Sequence, residues 1–176
     1  VVGLGGVGLC SILGAVAAGA RQIVAVDLYA DKLALAKSLG ATDAFNASDT
    51  DCIQQICAVT KGGVEFAFEL AGSVKAMELA YQITRRGGMT VTAGLPPAAD
   101  TFNVHQANLV AEERTIKGYY IGACVPVRDL PRYVALYRQG RLPIDRLVTG
   151  RLRLEDINAG LDSLNGGKAA RQLIVF

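Results

Sequence analysis

Gly3, Gly5 and Gly8 stand within the first eight residues, Val-Val-Gly-Leu-Gly-Gly-Val-Gly, with the spacing G-x-G-x-x-G. That spacing suits a pyrophosphate. The first glycine lets the chain turn tightly. The second lets the backbone come close to the phosphates, and the third lets the following helix pack on the preceding strand. The helix start offers N–H groups and a positive dipole end to the anion. A second group, Asp27, ends the apolar run Ile23-Val24-Ala25-Val26, nineteen residues after Gly8. A carboxylate about 20 residues past the last glycine is placed to bind the hydroxyls of an adenine ribose. A lone glycine turn is a weak signal, and a structural turn beside a solvated aspartate is the alternative. The helix-like run Leu9 to Ala20 and the strand ending on Asp27 favour the dinucleotide.

Other groups carry less. Cys10, Cys52, Cys57 and Cys124 form no C-x-x-C pair, and His105 is the one histidine. Zinc sites want grouped nitrogen and sulfur ligands, so no metal site is expected in this chain. Scattered thiols in an α/β chain suit a reducing compartment, and the expected location is the cytoplasm. His105 reads as a loop or cap residue rather than a base, because no acid or nucleophile pattern surrounds it. Glu65 and Glu69 share one strand face and could mimic a carboxylate pair. A polar strand edge is the preferred reading.

These groups need a scaffold. The chain has 176 residues, 51% hydrophobic and 19% charged, which fits a globular domain with a substantial core. A net charge of +2 gives no reason to expect nucleic acid or an anionic membrane as partner. No apolar stretch reaches the ~18 residues of a membrane span without a glycine or a charge. The first residues do not read as a signal peptide. Only Val1 and Val2 precede the glycines, although a central strand needs about five residues. A charged amino terminus would then sit inside the sheet. The expectation is that the natural chain begins earlier and that this is a C-terminal piece.

The pattern alternates helix and strand, which implies a doubly wound parallel sheet. A helix over Gly8 to Ala20 is apolar nearly all round and reads as buried. Strand Gln22 to Val26 and helix Ala30 to Leu39 follow, with Gly40 as the stop. A short strand covers Ala44 to Asn46. Ser48 or Asp49 caps a helix running through Val59. Strand Val64 to Leu70 leads to the turn Ala71-Gly72-Ser73, where Ser73 caps a helix to Thr84. Arg85-Arg86-Gly87-Gly88 reads as a turn before strand Met89 to Ala93. Thr115 to Ile121 is the sixth strand. Past a boundary near Ala123 to Arg128 the text changes. A helix runs from Asp129 to Gln139, a strand from Leu147 to Leu154, a helix from Leu154 to Asn165, then Gly166-Gly167 and the strand Gln172 to Phe176. The division is 1–124, a dinucleotide-binding domain with a truncated first strand, and 125–176, a C-terminal return segment.

Several stretches together resemble the C-terminal, cofactor-binding half of the medium-chain dehydrogenase/reductase superfamily, of the zinc-dependent alcohol dehydrogenase type. They are Gly3 to Gly8; Asp27 with Asp31-Lys32 and Leu39-Gly40-Ala41-Thr42-Asp43; Gly87-Gly88; Gly94-Leu95-Pro96-Pro97; Thr115-Ile116-Lys117-Gly118; and Gly167 to Phe176. The resemblance covers the whole chain and implies a Rossmann fold that binds NAD. It also implies a separate N-terminal catalytic domain holding zinc and most of an alcohol or aldehyde pocket. The segment after Arg128 would pack back on that domain. No catalytic residue is expected in this chain itself, which alone should be inactive.

The resemblance also assigns roles. Gly5, Gly6 and Val7 would face the pyrophosphate, and Asp27 and Lys32 would share the adenine ribose. Ala71, Ala93 and Leu95 would wall the path of the cofactor. The backbone of Tyr119 and Ile121 would clamp the carboxamide, and Arg171 would contact phosphate. Residues 115–121 would form an edge strand pairing with a second copy in a dimer or tetramer. On their own, Lys32 and Arg171 also read as solvated surface cations. Asp27, followed by Leu28-Tyr29-Ala30 without an arginine, points to NAD over NADP. Three rivals share part of the pattern. A zinc-free quinone reductase of the same superfamily would prefer NADP. A nicotinamide-sensing regulatory module would lack the Gly94 turn and the C-terminal return. A methyltransferase would use a cofactor without a pyrophosphate.

Overall fold

The computed structural model describes residues 1–165 and 170–176. The Gly166-Gly167 turn expected from sequence lies outside the described residues. Helix α1 (Gly6–Ala17) is followed by strand β1 (Val24–Asp27), helix α2 (Ala30–Ser38), strand β2 (Asp43–Asn46), helix α3 (Cys52–Val59) and strand β3 (Val64–Glu69). Then come helix α4 (Val74–Ile83), strand β4 (Thr84–Thr92), helix α5 (Gln106–Ala111) and strand β5 (Thr115–Gly118). The remainder holds helix α6 (Pro126–Arg138), strand β6 (Val148–Leu152), helix α7 (Ile157–Asn165) and strand β7 (Arg171–Ile174).

Pairs β1–β2, β3–β4 and β4–β5 are all parallel. Val2 joins them into one sheet by bridging to Val26 on one side and Glu69 on the other, both in parallel sense. The order across the sheet is therefore β2, β1, Val2, β3, β4, β5. Two residues suffice as a central strand because both neighbours bond to them. Val2 N–H donates to Phe68 O at 2.7 Å, Leu70 N–H to Val2 O at 2.9 Å, and Val26 N–H to Val1 O at 2.9 Å.

Alternation along β1 builds two cores. Ile23 and Ala25 face Leu4, Leu9, Ile12 and Leu13, with Ala36 of α2 and Leu39 just past it close by. Val24 and Val26 face the other way, among Val2, Ile56, Ala67, Ala80 and Ile83. Helices thus cover both faces, as an all-parallel sheet requires. The apolar helix α1 is covered on one stripe only, Gly8, Leu9, Ile12 and Leu13, which corrects the expectation of all-round burial. Val7 and Val16 are exposed.

The amino group of Val1 donates to Val24 O at 2.7 Å, and burial pushes its pKa down from 8.0 to about 5. The folded state then holds the neutral amine while the unfolded chain takes a proton below pH 8.0. The contribution of this amine to the stability of a chain starting at Val1 is expected to be constant above pH 8.0, to fall as the pH drops to about 5, and to change no further below. Urea melts across this window read it out. A chain with residues added ahead of Val1 should lack that dependence.

Four elements depart from the sequence reading. The expected turn at Arg85–Gly88 is the start of β4, kinked at Gly87 (φ +68°) with a register shift against β3 between Val64 and Phe66. The sixth strand stops at Gly118 rather than Ile121, because Ile121, Gly122 and Ala123 all take positive φ in a short 3-10 turn. Helix α6 starts at Pro126, three residues before Asp129, and carries Pro131 within it. The Asp129 carboxylate accepts from Arg128 and from the Val125 N–H, which hold it well below the usual carboxylate range. Neither Ser48 nor Asp49 caps α3; its N-cap is Asp51.

The C-terminal part folds onto the sheet domain. β6 and β7 pair in parallel as a separate two-stranded sheet. Leu147, 2% exposed, enters the core beside α1, and Arg146 donates to Ser38 O at 2.7 Å.

Candidate nucleotide site

The C-terminal ends of Val2, β1, β3, β4 and β5 line one edge of the sheet, where ligands of open α/β sheets bind. Gly3 turns the chain at φ +88°, and its N–H donates to Val26 O. A Cβ on Gly3 would stand 2.6 Å from Ala71 N. A Cβ on Gly8 would collide with the Gly3 carbonyl oxygen, so helix and turn are packed backbone to backbone. Gly5 differs. It is the N-cap of α1, in extended backbone (φ −70°, ψ −169°), and a Cβ there meets nothing among the described residues within 4 Å. An opening therefore lies in front of the first amides of α1, which have no intrahelical acceptor.

Two charged side chains frame that opening. Asp27, 9% exposed, ends β1. Its Oδ2 accepts from Leu4 N–H at 2.6 Å and its Oδ1 from Tyr29 N–H at 3.1 Å. Lys32 lies 4.8 Å over the Tyr29 ring, one turn into α2 and close along the chain to Asp27. Arg171 comes from β7, yet its Cζ lies 2.9 Å from where a Gly6 Cβ would be. Thr149 holds that approach. Its hydroxyl oxygen accepts from Ala170 N–H at 3.0 Å and Arg171 N–H at 3.3 Å and donates to Arg171 O at 2.9 Å.

Ala71, Ala93 and Leu95 are exposed at the ends of β3 and β4, on the opposite side of the opening from Asp27. Tyr119 follows β5, but its N–H is spent on Thr92 O at 2.9 Å, so of its two backbone groups only the carbonyl could meet a ligand. Lys117 Nζ lies 4.7 Å over the Tyr119 ring. Ile121 is 75% exposed. Of the thirteen residues assigned from sequence, the glycine turn, Asp27, Ala71, Ala93, Leu95 and Tyr119 stand at one sheet edge, Arg171 reaches it from β7, Lys32 lies in α2 and Ile121 in the 3-10 turn past β5.

One residue here was misjudged. Glu69 is buried, 1% exposed, and is no polar strand edge; Glu65 alone is solvated, paired with Arg85 at 2.6 Å. Thr149 and Thr92 also serve this edge without any local signal in the sequence. Among the described residues no cluster of three His, Cys, Asp or Glu could hold a metal ion.

An opening at a helix start, flanked by an acid and an arginine on the edge of a parallel sheet, defines an α/β protein with a candidate anion-binding edge. The comparisons give the family. The model of the zinc-binding dehydrogenase family matches residues 6–139, and the chain belongs to that family. It is 37% identical over 177 residues to alcohol dehydrogenase 1 of Trifolium repens, covering 99% of this chain and 46% of that protein. Benzyl alcohol dehydrogenase from Acinetobacter calcoaceticus superposes with a TM-score of 0.94 at 33% identity, covering 98% of this chain and 47% of that one. 2R,3R-butanediol dehydrogenase from Bacillus subtilis gives 0.85 at 31% identity, with 98% and 48% covered. The chain spans about half the length of these relatives. The medium-chain dehydrogenase/reductase resemblance and the Rossmann architecture both hold.

Proposed function

We propose that this chain binds NAD for an alcohol dehydrogenase, in which hydride passes between an alcohol or aldehyde and the nicotinamide. The observation that carries this reading is the convergence of Arg171 on Gly6, 165 positions apart, at the start of α1. The N–H groups of Gly6 and Val7 and the Arg171 guanidinium would hold the pyrophosphate, and Asp27 and Lys32 the adenine ribose. Bound NAD supplies the hydride acceptor; the residues described here bind and orient it. Zinc, as a Lewis acid on the substrate oxygen, would be held by residues outside this chain. Relatives whose names carry alcohols support the substrate class. We further propose a cytoplasmic protein, consistent with four free thiols, and a dimer or tetramer paired through β5.

The test is a titration with NADH, NADPH and adenosylmethionine. NADH is expected to bind best. Arg171→Gln should weaken NADH about tenfold and flatten its salt dependence, as loss of one charge-assisted phosphate contact requires. Binding of adenosylmethionine in place of NADH would sink the reading.

A further inference from the structure

We infer that Glu69 is a positioning residue for the half of the cofactor beyond the pyrophosphate; this rests on the nicotinamide-dinucleotide reading above. Glu69 ends β3 and is 1% exposed. Its Oε1 accepts from Ala71 N–H at 2.9 Å and Gly72 N–H at 2.7 Å. Its Oε2 accepts from the Thr92 hydroxyl at 2.8 Å. No lysine or arginine is among its hydrogen-bond partners in the described residues. Burying a carboxyl group without a cation is costly unless donors are aimed at it, and here three are.

These donors belong to turns that interlock. A Cβ on Gly94 would stand 2.7 Å from Glu69 Oε2. Gly72 sits at φ +72°, and a Cβ there would lie 3.2 Å from both the N and the O of Leu95. Gly3 abuts Ala71 in the same way. Three successive sheet-end turns, at Gly3, Ala71–Gly72 and Gly94–Leu95, therefore pack backbone on backbone. The Glu69 carboxyl group braces the second and third of them.

The sheet order gives this brace a direction. Asp27 lies on the β1 side of the Gly5 opening. The Ala71 and Leu95 turns lie on the β3–β4 side. With the adenine ribose at Asp27 and phosphates at Gly5, the nicotinamide nucleoside comes to rest over the braced turns. Glu69 touches neither half. It sets the height and tilt of the floor beneath one of them.

The experiment compares AMP with NADH in the full chain, for wild type, Glu69→Gln, Glu69→Leu and Thr92→Val. Bound NADH is also followed by its nicotinamide fluorescence. Glutamine keeps an oxygen for both amides and an NH2 for Thr92, so Glu69→Gln should bind both ligands within about threefold of wild type. Leucine fills the space without an acceptor. Glu69→Leu should weaken NADH about tenfold, with AMP within about twofold and the bound-state emission shifted toward that of free NADH. If Glu69→Leu does not fold, Thr92→Val still reads the brace: NADH about threefold weaker with AMP unchanged. The inference is overturned if Glu69→Leu and Thr92→Val bind NADH as wild type does, or lose AMP and NADH by the same factor. Failure of wild type to bind AMP or NADH overturns the proposed function itself, and this inference with it.

Discussion

Gly8→Ala should destabilise the fold and weaken NADH binding with it, whereas Gly5→Ala should weaken binding alone. The two glycines are three residues apart in one motif, but they are glycines for different reasons. At Gly8 the obstacle is internal. A methyl group would strike the Gly3 carbonyl oxygen, which belongs to the turn's own backbone and cannot swing away. Relief requires α1 to lift off the sheet, away from the core of Leu4, Leu9, Ile12 and Leu13. Overpacking of this kind costs about 1–3 kcal/mol, occasionally more. At Gly5 the backbone already has angles that alanine adopts, and the space ahead is open among the described residues. Alanine there should leave stability nearly unchanged, because its gain through the unfolded chain is offset by its being a poorer N-cap than glycine. The same methyl group would occupy the phosphate position and lower NADH affinity about a hundredfold. Urea melts and NADH titrations of both variants separate the cases. A Gly5→Ala protein that binds NADH normally would place the pyrophosphate elsewhere.

The second large effect is a change of cofactor preference. On the NAD reading, Asp27→Ser with Leu28→Arg should move the NADH:NADPH affinity ratio toward NADPH by about a hundredfold. The substitution removes a carboxylate that repels a 2′-phosphate and adds a guanidinium that binds one. Leu28 is 58% exposed, so an arginine has room to reach the ribose side. The change has a cost in the empty protein. Asp27 accepts from Leu4 and Tyr29 N–H groups, and serine reaches neither as well. Stability should fall by about 1–2 kcal/mol. The ratio of affinities, not either affinity alone, is therefore the informative measurement. An unchanged ratio would remove Asp27 from the ribose site.

The parts of the candidate site that sequence made legible are those with local rules. Gly3, Gly5, Gly8 and Asp27 are fixed by turn sterics and by the length of one strand–helix–strand passage. Ser73 caps α4 as expected, its Oγ accepting from Ala76 N–H at 3.2 Å, because capping needs only four neighbouring residues. The start of α6 at Pro126 was also available, from proline's preference for a first helical turn. Glu69 was not. Acids interleaved along β3 look like a solvated edge, and only donors 2 to 23 residues away make one of them a buried brace. The Arg85–Gly88 stretch misled for a similar reason. A glycine pair signals a turn, yet pairing with β3 pulls the residues into a kinked strand. Arg171 is an ordinary surface cation in sequence; Thr149 and β6 bring it to Gly6.

That last contact has a temporal side. The glycine turn and Asp27 are among the first parts of this stretch to leave a ribosome, and Arg171 is among the last. A growing chain can form the sheet around Val2 well before Arg171 has been made. On the proposed reading, its phosphate site stays incomplete throughout that interval. Dinucleotide in the cell can therefore add its full mass-action stabilisation only after Arg171 has folded back onto Gly6. Until then the early core of α1, β1 and β3 must hold largely on its own packing.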